Sequence, residues 1–143
     1  MPAFRSIDDL DVRGRRVLVR ADLNVPVSDG VVTDMTRLAR LAPTIRELSD
    51  RGARVIVLSH FGRPKGRDTS LSLRVVVEAL KMVFAGRSVH FGEDCIGPAA
   101  EHVVSSLRDG EIAVLENLRF HKGEEANDPA FARELARLGE MYV

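Results

Sequence analysis

Five short runs of β-branched and other apolar residues recur along this chain of 143 residues. Longer segments separate them, and in these segments apolar residues repeat every three or four positions, which is the period of an amphipathic helix. This alternation is typical of a parallel sheet covered by helices on both faces. The predicted strands are residues 16–20, 54–58, 88–91, 111–115 and a run that opens at Met141.

Four helices are predicted between these strands. The first two have apolar stripes within residues 38–48 and 73–84. The third begins at Gly97-Pro98 and the fourth at Asp128-Pro129, where an acidic N-cap precedes a proline in the first helical position. Pro43 lies inside the first helical pattern, so we expect that helix to break or to start late there.

Glycines fall where predicted helices stop and strands are about to begin. Left-handed glycines commonly end helices, and we expect this role for Gly52, Gly86, Gly110 and Gly139. With right-handed crossovers, the order β-α-β-α-β-α-β-α-β forms a three-layer α/β fold, a doubly wound parallel sheet of the Rossmann-like type. No linker, internal repeat or low-complexity segment interrupts it, so one domain is predicted.

The composition excludes several classes of function. The 21 basic and 21 acidic residues cancel, so no overall field favours nucleic acid or an anionic membrane. The single cysteine, Cys95, excludes an internal disulfide, and no Cys/His spacing predicts a metal site. The first residues are acidic where a signal peptide would be apolar, and no apolar run approaches the length of a membrane span. We therefore expect a cytoplasmic protein.

Basic side chains gather in the segments that follow the first, second and fourth predicted strands. Ligands of open α/β sheets bind at the carboxyl ends of strands, so these segments are expected to share one rim. Arginine matches phosphate and carboxylate oxygens, and helix N-termini attract anions. Asp22 and Asn24 suit a hydroxyl group, so the rim predicts a site for a small, anionic, hydroxylated molecule. Its basic residues are Arg37, His60, Arg63, Lys65, Arg119, His121 and Lys122.

Each of these residues also has a structural explanation. Isolated surface charges are usually only solvated, which is the explanation we favour for Lys65, His121 and Lys122. Turn geometry, core burial or an internal ion pair explains a second group, consisting of Asp22, Asn24, His60, Gly62 and Glu116. Convergence on one rim is harder to explain in this way, and for His60, Arg63 and Arg119 together we favour function.

Four long motifs stand in these same segments: VRADLNVP at 19–26, TDMTR at 33–37, LSHFGRPKG at 58–66 and LENLRFHKGEEANDP at 115–129. In this order they closely resemble the motifs of phosphoglycerate kinases, and the resemblance extends over almost the whole chain. It implies reversible phosphoryl transfer from 1,3-bisphosphoglycerate to magnesium-bound ADP, giving 3-phosphoglycerate and ATP, which is a step of glycolysis. It also implies that Arg37 is catalytic and stabilises the phosphoryl group in transit.

The resemblance implies further site residues. The glycerate would be bound by Asp22 and Asn24. Its distal phosphate would be bound by His60, Arg63 and Arg119. The complete substrate-binding set that the resemblance implies is Asp22, Leu23, Asn24, Arg37, His60, Phe61, Gly62, Arg63 and Arg119.

The sequence also departs from the family pattern. Phe61 stands where the family usually has leucine, and residues 72–74 open the second helix without a proline that is often found there. The family continues past the last strand into an Asn-Asp-Ala-Phe-Gly stretch and a His-Arg pair. We therefore expect residues 1–143 to be the front part of an N-terminal phosphoglycerate-binding domain without the C-terminal nucleotide-binding domain, and inactive alone.

The resemblance has consequences for ligands and partners. Mg-ATP and Mg-ADP are co-substrates of the family, and neither is expected to bind here, since the sequence has no GxxxxGK[ST] or GxGxxG loop. Family members are usually monomeric, whereas an uncovered sheet edge in this chain invites self-association.

Two functions of other classes remain open. The chain could be a stand-alone anion-binding module without catalysis. It could also be an interaction protein whose Arg-rich rim docks an acidic surface or nucleic acid. The balanced charge and the aromatic content of 5% argue against nucleic acid.

Overall fold

The computed structural model describes residues 13–21, 23, 25, 27–28, 31–59, 73–84, 86–118, 129–139 and 141–142. In chain order, the elements within these ranges are β1 (Arg16–Arg20), β2 (Val27–Ser28), β3 (Val31–Val32), α1 (Thr36–Asp50), β4 (Arg54–Leu58), α2 (Arg74–Val83), β5 (Val89–Gly92), α3 (Gly97–Ser106), β6 (Ile112–Leu115), α4 (Pro129–Ala136) and β7 (Met141–Tyr142).

Five of these strands form a single sheet in the order β5-β6-β4-β1-β7. Every neighbouring pair in it is parallel. In the three central strands, Val17 lies opposite Val55, and Val55 lies opposite Ile112. The predicted Rossmann-like α/β fold is therefore confirmed, and each of the four fully delimited strand predictions agrees with the structure to within one residue at either end.

The sheet divides the apolar core in two, because alternate residues of a strand point to opposite faces. The chain adds strands in one direction from β1 through β4 to β5 and then reverses through β6 to β7. Right-handed crossovers therefore place α1 and α2 on one face and α3 and α4 on the other. The first face buries Val17, Val19, Val55, Val57, Ile112 and Val114. The second buries Leu18, Ile56, Leu58, Ala113 and Leu115.

A two-stranded antiparallel hairpin, β2-β3, lies between β1 and α1, where no strands were predicted. Val27 pairs with Val32, and Ser28 pairs with Val31. Strands of two residues are too short to produce a recognisable period. The signal available in the sequence was the Asp-Gly pair between Ser28 and Val31, which is a strong hairpin signal when apolar residues flank it.

The first helix is continuous over Thr36–Asp50, so the break or late start expected at Pro43 is wrong. Proline removes the N–H that would bond to the carbonyl of Ala39. Ala39 and Pro43 are both exposed, so water can bond to that carbonyl. On the opposite side, a buried stripe that includes Leu38 and Ile45 packs on the sheet and holds the helix together across the missing bond.

Gly139 has a different role from the one predicted. The other three helix-ending glycines have left-handed backbones, with φ of 85° at Gly52, 89° at Gly86 and 84° at Gly110. Gly139 has no such φ, but a Cβ there would lie 2.6 Å from Cγ of Leu18 and 3.2 Å from the carbonyl oxygen of Arg16. Glycine is therefore required because the chain entering β7 passes very close to β1.

Replacing Pro43 with alanine should stabilise the protein. The substitution restores the missing helical bond at an exposed site, and we expect the free energy of unfolding to rise by about 1–3 kcal/mol. Urea denaturation followed by circular dichroism measures this, and Pro43→Gly is the matched control with a gain smaller by about 1 kcal/mol. A Pro43→Ala variant no more stable than the wild type would contradict this account of the helix.

Candidate functional site

The carboxyl ends of β6, β4 and β1 lie side by side at one edge of the sheet. The three segments predicted to carry the site begin at these ends. The connection from β4 leads to α2 on one face, and the connection from β6 leads to α4 on the other. The boundary between β4 and β6 is therefore the topological switch point, where open α/β sheets form a ligand-binding crevice.

Most predicted site residues lie outside the residues that the structure describes. These are Asp22, Asn24, His60, Phe61, Gly62, Arg63 and Arg119, together with Lys65, His121 and Lys122. Leu23, Arg37 and Glu116 are described. The structure thus gives the positions from which the predicted segments start, and the surroundings of these three residues.

Ser59 joins the starts of all three segments. It directly follows β4, and its side chain is buried, with 1% of its surface exposed. Its Oγ accepts a hydrogen bond of 3.1 Å from the N–H of Leu23, in the segment after β1. Its carbonyl accepts a bond of 2.9 Å from the N–H of Leu118, in the segment after β6. Because β4 lies between β1 and β6, the residue at its end can reach both neighbours.

Leu23 belongs to the core on the α1 and α2 side and is completely buried. Its N–H is used by Ser59, and its carbonyl accepts a bond of 2.9 Å from the N–H of Val25. The resemblance includes Leu23 among residues that bind substrate. The structure places its side chain in the apolar interior.

Glu116 connects the end of β6 to the start of α2. Its side chain is 6% exposed, and its Oε1 accepts bonds from the N–H of Leu73 at 2.8 Å and from the N–H of Asn117 at 2.9 Å. A buried carboxylate needs such donors, and the positive end of the α2 dipole adds to their effect. Glu116 thereby holds Leu73, the first described residue after the predicted site segment that follows β4.

Arg37 lies in the first turn of α1, and its side chain is exposed. It lines a cavity of about 190 Å³ together with Asp34, Thr36 and Arg40. Because α1 runs back along the sheet after β1 and the hairpin, it begins at the same edge as the switch point. The cavity therefore has two guanidinium groups beside a helix N-terminus, an arrangement that favours anions.

Asp34 orders the start of this helix. Its Oδ1 accepts a hydrogen bond of 2.9 Å from the N–H of Thr36. Hydrogen bonding from the Thr36 side chain, followed by that from its N–H, holds the pKa of the Asp34 carboxyl below its ordinary value, and the charges of Arg37 and Arg40 act in the same direction. The carboxylate thereby fixes the turn that presents Arg37.

A larger cavity, of about 410 Å³, lies along the edge strand β5. Lys81, His90 and His102 are the basic side chains in its lining. Nε2 of His90 lies 3.5 Å from Oε2 of Glu111, so a carboxylate already faces this histidine. The cavity flanks the edge of the sheet and does not lie at its switch point, so the switch point between β4 and β6 is the better candidate for a ligand site.

Sequence reasoning did not single out Ser59 or Asn117, and it explained Glu116 by an internal ion pair without the backbone donors found here. These three residues follow the apolar strands β4 and β6 directly, and all of them are buried. The signal was present, since polar side chains at the ends of strands buried on both faces must find partners inside the protein. Nothing in the sequence alone indicated which backbone groups those partners are.

Among the residues that the structure describes, none of the helices has the length and apolar character needed to cross a membrane. Within the same ranges, no group of three or more His, Cys, Asp and Glu side chains is placed to hold a metal ion.

Asp34 should contribute to stability above its unfolded-state pKa and lose that contribution in acid. The folded pKa is lowered, so protonation favours unfolding as the pH falls through and below the ordinary aspartate value of about 3.9. We expect wild type to be more stable than Asp34→Asn at pH 7, with the difference shrinking as the pH falls below the ordinary aspartate value and through the lowered pKa of the folded state. Urea denaturation across this range measures it. A difference that does not change with pH would show that the charge of Asp34 has no part in the helix start.

Comparison with known proteins places the chain in a family. A family model described as phosphoglycerate kinase matches residues 7–143. The phosphoglycerate kinase of Bradyrhizobium diazoefficiens is 59% identical over 140 residues, which is 98% of this chain and 35% of that protein. That of Granulibacter bethesdensis is 58% identical, over 99% of this chain and 36% of the relative. The chain thus spans about a third of the length of these curated relatives.

Solved structures agree with this placement. A phosphoglycerate kinase from Coxiella burnetii superposes with a TM-score of 0.84 at 31% identity, covering 97% of this chain and 34% of the other. One from Pyrococcus horikoshii gives the same TM-score, 0.84, at 29% identity. With the motifs, the sheet topology and these matches in agreement, the chain belongs to the phosphoglycerate kinase family.

Proposed function

We propose that this chain forms the phosphoglycerate-binding part of a phosphoglycerate kinase. The reaction is reversible phosphoryl transfer from 1,3-bisphosphoglycerate to ADP, giving 3-phosphoglycerate and ATP in glycolysis. The observation that carries the proposal is the joining of three motif-bearing segments by hydrogen bonds to Ser59 at the switch point. Family membership then selects phosphoglycerate among the small anions that such a rim could bind.

The proposed contacts follow from the anchors. Asp22 and Asn24 flank the buried Leu23 in sequence, and they would bind the glycerate part of the ligand. His60 follows Ser59 in sequence, and Arg119 follows Leu118. Both are therefore next to the hydrogen-bonded pair of Ser59 and Leu118 at the switch point.

The distal phosphate would be bound by three basic residues that follow Ser59 or Leu118 in sequence, namely His60, Arg63 and Arg119. Arginine pairs with phosphate oxygens through two parallel N–H donors, which fixes the orientation of the ligand as well as its position. Phe61 and Gly62 lie between two of these residues in sequence and would complete the wall of the site.

Arg37 would act on the group being transferred. Phosphoryl transfer needs little covalent chemistry from the protein, because positioning and stabilisation of charge in the transition state supply nearly all of the catalysis. Arg37 presents an exposed guanidinium from the first turn of α1, beside Arg40 and a helix N-terminus. It would stabilise the negative charge on the phosphoryl oxygens between donor and acceptor.

We propose that the 143 residues alone do not catalyse the transfer. The chain spans about a third of the length of its curated relatives, and its sequence has neither of the common phosphate-binding loops for nucleotides. Mg-ATP and Mg-ADP would be co-substrates of the complete enzyme, bound by residues outside this chain. A cytoplasmic location, with 1,3-bisphosphoglycerate and 3-phosphoglycerate as its ligands, follows from the same function.

Calorimetric titration with 3-phosphoglycerate tests the proposal. Wild type should bind, and Arg63→Ala combined with Arg119→Ala should weaken binding by about 100-fold or more, since each charged hydrogen bond contributes about 1.5–3 kcal/mol. The matched control is Arg108→Ala with Arg133→Ala, which removes the same charge from exposed sites elsewhere and should leave the affinity unchanged.

Other results would contradict the proposal. Equal weakening by both double variants, with affinity that falls steeply as salt is added, would indicate a general acidic-surface or nucleic-acid interaction. A folded wild-type chain that gives no heat with 3-phosphoglycerate would mean that these residues do not form the site.

A further inference from the structure

The buried hydroxyl of Ser59 carries an inference that goes beyond the residues expected to touch substrate. Ser59 is 1% exposed, and two of its hydrogen bonds go to residues that are 36 and 59 positions away in sequence. We propose that Ser59 is a positioning residue that sets the geometry of the phosphoglycerate site without touching the ligand. This inference rests on the proposed function above.

The topology explains why this position has such an effect. In the sheet, β4 lies between β1 and β6, so the end of β4 adjoins both neighbouring segments. The Oγ atom fixes the backbone at Leu23, and the carbonyl fixes the backbone at Leu118. The side-chain bond is the one that a substitution can remove, because the carbonyl is present in every residue.

Each residue in the Oγ hydrogen bond is adjacent in sequence to proposed ligand contacts. Leu23 lies between Asp22 and Asn24, and Ser59 precedes His60. Consecutive Cα atoms are held about 3.8 Å apart, so a displacement at the anchor is passed to the neighbouring side chain. Misplacement of a binding group by about 1 Å can cost roughly 100-fold in rate. Losing the Oγ bond would let the segment after β1 move relative to the one after β4.

A purely structural serine offers the matched control. Ser49 is also buried, with 6% of its surface exposed, and its Oγ donates to the carbonyl of Gly110 at 2.6 Å and accepts from Nε of Arg87 at 3.1 Å. It lies at the end of α1, at the amino-terminal edge of the sheet, opposite the switch point. Removing its hydroxyl should affect stability but not the site.

The experiment compares affinity and stability in Ser59→Ala, Ser59→Thr and Ser49→Ala variants of the chain. Calorimetric titration with 3-phosphoglycerate should show a Kd raised by about 10-fold or more in Ser59→Ala, as expected for displaced charged contacts. Ser59→Thr keeps the hydroxyl and should restore most of the affinity. Ser49→Ala should bind as wild type does, although its Tm falls about as much as that of Ser59→Ala.

The outcomes separate this inference from the function on which it rests. Binding by wild type with an unchanged Kd in Ser59→Ala would overturn the positioning role alone. No binding by folded wild type would overturn the proposed function and the inference with it. If Ser59→Ala does not fold, Ser59→Cys replaces it, since sulfur keeps the volume but accepts hydrogen bonds weakly. The same rise in Kd is then expected, and an unchanged Kd would again overturn the inference.

Discussion

The arrangement of the candidate site depends on two of the hydrogen bonds that Ser59 makes at the carboxyl end of β4. One connects the central strand to the segment after β1, and the other connects it to the segment after β6. Glu116 adds a third link, from the end of β6 to Leu73 at the start of α2. Three stretches that are distant in sequence are thereby anchored at one edge of the sheet.

The sheet makes these anchors possible. Its three central strands are buried on both faces, and register places Arg20 beside Leu58 and Val57 beside Val114, so their carboxyl ends finish at nearly the same level. Helices on both faces exclude water from the strand ends, and buried polar groups there must bond to one another. The hydrogen bonds that Ser59 and Glu116 need because they are buried therefore also fix Leu73, as well as Leu23 and Leu118, which adjoin the proposed ligand contacts.

Sequence reasoning predicted the sheet because β-branched runs buried on both faces are easily recognised, and it predicted the starts of α3 and α4 from their prolines. It failed where the outcome depends on three-dimensional surroundings. At Pro43, solvent on one side of the helix and core packing on the other compensate for the missing helical hydrogen bond. At Gly139, glycine is needed because a Cβ would collide with Leu18. The rim was predicted from the placement of arginines along the chain, whereas the anchors were not, because a serine's backbone partner 36 residues away leaves no local pattern.

The most direct test of this account is an NMR titration of the 143-residue chain with 3-phosphoglycerate, following backbone amide signals. The amides of Leu23, Ser59 and Leu118 should shift together with a single Kd, because they lie at the base of the proposed site. Those of Gly52 and Gly110, in turns at the opposite edge of the sheet, should stay unchanged. Shifts confined to the cavity beside His90 and His102, or no site-specific shifts in a folded chain, would contradict the claim that the switch point of this sheet binds phosphoglycerate.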